Sequence, residues 1–216
     1  WVYHDPVRDS RKVTDFDVQS WRPGIRESYE RTMAASSLAE TVLAAYGGGG
    51  NWPEGLLRAD RVLDALDGAD GDACGRIMVH FLWNWAELLG SRPPLNCCAS
   101  CACEAPGDGV LWFDKTGGIL LCPSCAGMLP DPAEQPAEKP AEKPAEQNGR
   151  GGHDSAGLLE PLGPGARRWL NMLGGPDPSL PVRYSPDPRS FRQAKTLVTG
   201  IMAGILGKSL PTWDFW

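Results

Sequence analysis

Apolar and polar positions change their period along the chain, and the changes mark its elements. At the start, Trp1, Val2 and Tyr3 form an apolar strand start, Asp5 to Ser10 reads as a turn, and Lys12 to Val18 alternates imperfectly. Residues 22 to 46 switch to a helical period, with Trp21, Ile25, Tyr29 and Met33 recurring every fourth residue and Val42, Leu43 and Tyr46 extending the face. The run Gly47 to Gly50 ends it. A second helix is predicted from Pro53 to Leu66, with Leu56, Ala59, Leu63 and Leu66 inward and Pro53 in its first turn. The third carries Ile77, Phe81, Trp85 and Leu88 on one face, widened by Met78, Leu82 and Leu89. Asp70 or Asp72 caps its start and Gly90 its end. This aromatic stripe has the spacing of a buried helix face rather than of a ligand site.

Further on, Val110 to Phe113 and Ile119 to Leu121 read as strands around the turn Asp114 to Gly118. Residues 132 to 147 are four tetrapeptides, PAEQ, PAEK, PAEK and PAEQ. Proline at every fourth position removes helix donors, and nothing apolar is larger than Ala, which predicts an extended or disordered linker. Two helices follow. One holds Ala166, Trp169, Leu170 and Leu173. The other is capped by Asp187, starts at Pro188, presents Phe191, Ala194, Val198, Ile201 and Ile205, and ends at Gly207. Gly200 and Gly204 on that helix permit close packing.

Composition narrows the class. The chain has 216 residues and a formal net charge of −6, which is not that of a strongly basic nucleic-acid binder, although a local basic groove can coexist with an acidic whole. Acidic residues outnumber basic ones before residue 130, and the balance reverses after residue 156. The chain opens on Trp1 rather than Met, which points to processing or to a fragment. Trp1 does not start a signal peptide, since no charged region leads into an apolar run. No apolar stretch is long enough to predict a membrane span.

Seven cysteines carry the chemistry. Cys98 and Cys101 form one Cys-x-x-Cys pair, Cys122 and Cys125 another, with the predicted hairpin between them. Two such pairs are the spacing of a tetrahedral four-thiolate zinc site. A redox dithiol usually stands alone between a strand and a helix, and an odd cysteine count argues against a fully paired secreted framework. Cys97 in place of Cys98, and Cys103 in place of Cys101, remain alternatives with altered loops. Cys74 reads as a small core residue. Four thiolates leave no position for water, so the zinc is expected to be structural rather than catalytic. None of His4, His80 and His153 has a Glu two residues on, as a zinc deaminase requires, and His80 reads as a satisfied core or edge residue. No Ser/His/Asp order, phosphate loop or acid pair stands out, so no enzyme is expected. Metal-type cysteine usage predicts the cytoplasm.

One arrangement carries a family likeness. The helix with Arg22-Pro23-Gly24-Ile25-Arg26-Glu27-Ser28-Tyr29, then His80-Phe81-Leu82 through Leu88-Leu89-Gly90, Pro93 and Leu95, leads into Cys98/Cys101, Gly117-Gly118 and Cys122/Cys125. This resembles the bacterial recombination and DNA-repair family RecO over roughly residues 1 to 128, and more loosely over the terminal helices. The resemblance implies a mainly α fold: a helical bundle with a four-cysteine zinc hairpin and a short N-terminal β remnant of an OB-fold. The expected division is 1–20, last strands of a truncated OB-fold; 21–96, helical domain; 97–128, zinc segment; 129–155, linker; 156–216, terminal helices packing on the helical domain.

The family likeness also implies a non-enzymatic recombination mediator of the cytoplasm and nucleoid. Its partners would be single-stranded DNA, the C-terminal tail of the single-stranded-DNA-binding protein, and RecR, and it would promote annealing and RecA loading. The absence of most of an OB-fold weakens the expected DNA contact. Candidate contacts are Arg8, Arg11 and Lys12 on the strand remnants and Arg22 and Arg26 at the first helix. Without nucleic acid, the chain would be a zinc-stabilised protein-interaction module. An apolar groove flanked by Arg167, Arg168, Arg189, Arg192 or Lys195 would suit an acidic, apolar tail.

Overall fold

The computed structural model describes residues 2–15, 17–45, 52–129 and 158–216. The fold is mainly α-helical, built around one long buried helix with a small antiparallel sheet at its side. That helix, α4 (Gly71–Leu88), is apolar on almost every side. Its residues from Ala73 to Ala86 are buried nearly without interruption, so it is the axis of the core and not one face of a surface helix. Its end is a Schellman turn. Gly90 takes a φ of +70°, its N–H donates to the carbonyl of Glu87, and the N–H of Ser91 donates to that of Ala86. Asp70 occupies the N-cap position but accepts no capping hydrogen bond.

The long helix expected over residues 22 to 46 is two helices, α1 (Pro23–Glu27) and α2 (Tyr29–Ala45), broken at Ser28, whose backbone is extended at φ −131° and ψ 138°. Tertiary contact causes the break. Arg31 reaches back to donate to the carbonyls of Gly24, Asp67 and Ala69, and Asp67 accepts from the N–H of Ile25. A Cβ on Gly24 would lie 2.1 Å from the Asp67 carbonyl oxygen, so this approach needs glycine.

The expected inward faces of the first two helices need correction. Trp21, Tyr29 and Leu43 are exposed, and α2 turns Ala34, Ser37, Leu38, Thr41 and Ala45 inward instead. This shallow face receives the chain end, where a 3-10 turn (Pro211–Phe215) brings the Trp213 indole N–H to Thr41 Oγ1 at 3.2 Å and that of Trp216 to Ser37 Oγ at 3.0 Å. On α3 (Trp52–Asp67), Leu56 is likewise exposed, while Gly55, Ala59, Val62 and Leu66 are buried, Gly55 beneath the Trp85 ring. Tyr46, Gly47 to Gly50, and the Pro-Ala-Glu repeat lie outside the described residues.

At the other end, β1 (Val2–Asp5) and β2 (Ser10–Val13) form a two-stranded antiparallel hairpin with Tyr3 opposite Lys12. Val2, Tyr3 and Val7 are exposed on it. The cysteine-flanked hairpin forms as expected from β3 (Leu111–Asp114) and β4 (Ile119–Leu121), with Phe113 opposite Leu120 and Gly118 at a φ of +65°.

The sheet has a third strand that sequence reasoning missed. β5 (Leu159–Leu162) pairs antiparallel with β3, giving the order β4-β3-β5. Four residues containing Pro161 give no strand signal by pattern, and Pro161 is tolerated because β5 is an edge. After the short α5 (Pro123–Ala126), α6 (Pro164–Met172), α7 (Leu180–Arg183) and α8 (Pro188–Leu206) close the core. α8 follows its sequence closely: Asp187 accepts from the N–H groups of Arg189 and Ser190, and Gly207 ends it in the left-handed region. It lies across both α4 and the sheet.

Candidate metal centre

Two backbone devices present the four thiols. The first pair sits in a knuckle. The N–H of Cys98 donates to the carbonyl of Cys103, and that of Ala102 to the carbonyl of Cys98, closing a tight turn in which Ala102 takes a φ of +56°. A bond from the Ala99 N–H to the Leu120 carbonyl fastens the knuckle to β4. The second pair follows β4 directly. Cys122 is the N-cap residue of α5, Pro123 opens the helix, and Cys125 lies one turn further on. The hairpin therefore does what the spacing predicts, returning the second pair to the first.

The Sγ atoms of Cys98, Cys101, Cys122 and Cys125 all lie within 4.8 Å of one another. The Cys101 and Cys122 sulfurs are 3.8 Å apart. A tetrahedron with metal–sulfur bonds of ~2.3 Å has edges of about 3.8 Å. The donor set therefore fits one four-coordinate metal ion, and a soft thiolate set suits zinc or iron over hard cations. Cys98 is buried with Leu121 and Ala126, against Trp112 and Leu159, so one side of the cluster is roofed by apolar side chains. Cys101 is exposed.

The electrostatics divide the thiols. Burial opposes ionisation of Cys98, but backbone N–H groups of Cys101, Cys122 and Ser100 outweigh it and lower the thiol to about 6. Cys122 is also lowered, first by the backbone N–H of Cys125. Hydrogen bonding with the Cys101 and Cys122 sulfurs pushes both Cys103 and Cys125 up to about 12. Cys103 thus stands at the edge of the cluster as an extra thiol, while Cys97, bridged to Glu104 through its backbone, does not join the four. Cys74 is buried in the core, its thiol against the Asp70 carbonyl.

Comparison with known proteins gives the family of the chain that carries this cluster. The family model described as "Recombination protein O C terminal" matches residues 26–138, more than half of the chain and all four clustered cysteines. The chain belongs to the RecO C-terminal family. A DNA repair protein RecO of Rubrobacter xylanophilus is 35% identical over 113 residues, which are 52% of this chain and 44% of that relative. The matched region thus spans less than half of the relative's length. No solved structure matches.

The RecO match begins inside α1 and leaves out the β1–β2 hairpin, which holds three of the five candidate nucleic-acid contacts. Arg8 and Lys12 are exposed there, Arg8 in the turn and Lys12 on β2 beside Arg11. Arg26 lies 4.3 Å above the Trp21 ring. Arg22 is engaged elsewhere: its Nε donates to Asp64 at 2.8 Å and its Nη2 to Asp60 at 2.5 Å, tying the start of α1 to α3.

Of the basic residues expected to flank a groove, Arg167 is buried and donates to four backbone carbonyls, so it flanks none. Lys195 is drawn to the chain end, its ammonium hydrogen-bonded to the Trp216 oxygen and 4.7 Å from the Trp216 ring. An open cleft with a largely apolar floor does lie between α3 and α7. Arg61, Asp64, Ala65, Pro178, Val182 and Arg183 line it. None of these residues carried a sequence signal, because a four-residue helix made of Leu180 to Arg183 supplies one wall. Among the described residues, no helix is long and apolar enough to cross a membrane.

Proposed function

We propose that this chain is the C-terminal, partner-binding module of a recombination mediator of the RecO type, with a structural Zn²⁺ held by Cys98, Cys101, Cys122 and Cys125. The observation that carries the reading is the family match over residues 26–138, which encloses the four-thiol cluster. The relative's name, DNA repair protein RecO, and the family description, Recombination protein O C terminal, support DNA repair and recombination as the process. The reading sets that process in the cytoplasm, at the nucleoid. In this reading the module makes and breaks no covalent bonds. Its division follows the chain: 1–20 as the last strands of an OB-fold, 21–96 as the helical domain, 97–128 as the zinc segment, 129–155 as linker and 156–216 as terminal elements.

The partner surface best supported is the cleft between α3 and α7. Arg61 and Arg183 offer positive charge at its rim, and Ala65, Pro178 and Val182 an apolar floor. That chemistry suits the acidic, apolar C-terminal tail of a single-stranded-DNA-binding protein. RecR and single-stranded DNA complete the proposed partners, the DNA through Arg8, Arg11, Lys12 and Arg26, with Arg22 held back by its pairing to Asp60 and Asp64. That pairing favours the second reading, a zinc-stabilised protein-interaction module that needs no nucleic acid.

The deciding experiment is fluorescence anisotropy of a labelled single-stranded-DNA-binding-protein tail peptide titrated with the folded, zinc-loaded chain. Saturable micromolar binding, lost in Arg61→Glu and Arg183→Glu, is the expected result. No binding would remove the tail from the proposal. Anisotropy of labelled single-stranded DNA at two salt concentrations separates the readings, since phosphate contacts weaken steeply with salt.

A further inference from the structure

Three neighbouring side chains of α4 bring unpartnered polar atoms into the core. His80, Asn84 and Trp85 are 2%, 3% and 3% exposed. His80 Nε2 lies 2.8 Å from the Gly175 carbonyl, which can only accept, so Nε2 carries the proton and Nδ1 of the neutral ring is a bare acceptor. Asn84 spends both amide hydrogens, on the carbonyls of His80 and Leu173, leaving Oδ1 with no donor. The Trp85 indole N–H has no acceptor. Among the described residues, none of these three atoms has a hydrogen-bond partner. All three residues line one small, largely enclosed cavity, closed by Arg58, Val62, Phe81 and Pro176.

Two acceptors and one donor suit a single water molecule, which gives two hydrogens and can receive up to two, so three of its four hydrogen-bonding positions would be filled. The cavity, about 10 Å³, has room for one water and for little else. An apolar occupant would leave all three atoms unmet, against the rule that buried polar groups find partners. We propose that this cavity is a binding site for one internal water, donating to His80 Nδ1 and Asn84 Oδ1 and accepting from Trp85 Nε1.

The water is part of a joint. It holds His80 and Asn84 in the orientations from which they bond directly to the carbonyls of Gly175 and Leu173, and so tie α4 to the turn that runs on into α7 and one wall of the α3/α7 cleft. Arg58 backs the joint from α3, donating to the Asn84 carbonyl, and Asp177 is the acidic group acting on His80 from the turn side.

Nuclear magnetic resonance on the full chain tests the proposal. The Trp85 indole resonance is assigned by its loss in Trp85→Phe. A cross-peak from water to that proton, with the sign of a long-held molecule, is expected, and long-range nitrogen correlations should show His80 as the Nε2–H tautomer with an accepting Nδ1. An indole proton with no transfer from held water, or an Nδ1–H tautomer, overturns the proposal. A high-resolution crystal structure gives an independent reading: density for a water within hydrogen-bond reach of all three atoms supports the site, and an empty cavity sinks it.

Discussion

Arg167 donates from Nε to the carbonyl of Leu95 at 2.8 Å, joining α6 to the loop that feeds the cysteine knuckle. Its Nη1 donates to the carbonyls of Pro106 and Gly109 and its Nη2 to that of Ala105. One guanidinium therefore holds both the chain entering the knuckle and the chain leaving it. Burial lowers its pKa, though the group stays charged in any ordinary range.

Arg167→Met keeps the volume but orphans four carbonyls. Hydrogen bonds to a charged group contribute roughly 1.5–3 kcal/mol each, yet they act as one network, so the loss should be about 3–5 kcal/mol rather than their sum. Arg167→Lys should recover only part of it, because an ammonium cannot fork across the loop. Urea unfolding midpoints measure both. A loss under about 1 kcal/mol for Arg167→Met would show that the loop is held by other means.

The metal centre makes a sharper prediction. Cys98→Ser, Cys101→Ser, Cys122→Ser or Cys125→Ser should each abolish stoichiometric metal, read by elemental analysis, and lower the melting temperature. Cys97→Ser and Cys103→Ser should leave metal content unchanged, because only the other four sulfurs converge. A strong chelator should reproduce the loss in the wild type, since metal binding free energy is folding free energy at such a site. Metal loss in Cys103→Ser with retention in Cys101→Ser would reassign the ligand.

These two sites also show what the sequence could disclose. The cysteine cluster was legible because its determinants are local: two residues between thiols, a turn-rich hairpin between pairs, and a helix start after Cys122. The ends and inner face of α8 were legible for the same reason. The role of Arg167 was not, since its partners lie about 60–70 residues away in an irregular loop and carry no side-chain signal. The face of α2 was misread because its occupants, Trp213 and Trp216, come from the far end of the chain. A small-residue face is invisible to a search for large apolar side chains.

Two glycines one helical turn apart on α8 should respond in opposite ways. A Cβ on Gly200 would sit 2.5 Å from the Phe113 ring, where α8 crosses the sheet. Phe113 is buried and cannot swing away, so Gly200→Ala should cost about 1–3 kcal/mol by overpacking. Gly204 has nothing within 4 Å of its Cβ position and is exposed, so Gly204→Ala should stabilise the helix by about 0.5–1 kcal/mol. Thermal melts of the two variants check the pair. Equal effects would mean that α8 does not lie on Phe113 as described.

Acid should weaken the fold through His80. Burial holds its pKa below the ordinary 6.5, against the opposing pull of the Gly175 carbonyl and Asp177, with Arg58 adding to the depression. Above pH 6.5 the ring is neutral in both folded and unfolded chains, and His80 gives no slope. As pH falls below 6.5, the unfolded chain takes up a proton that the buried ring refuses. Stability then falls by up to about 1.4 kcal/mol per pH unit until the folded ring itself titrates. The carboxylates of Asp177 and Asp187 are lowered from 3.8, by hydrogen bonds from Ser179 and Ser190 respectively, so their contributions are lost only at more acid pH. Protons also compete for the thiolates of the metal centre, so the informative quantity is a difference. Urea midpoints of wild type and His80→Gln, both metal-saturated, should diverge most above pH 6.5 and converge toward pH 5. Parallel curves across that range would mean that His80 titrates as an ordinary surface histidine.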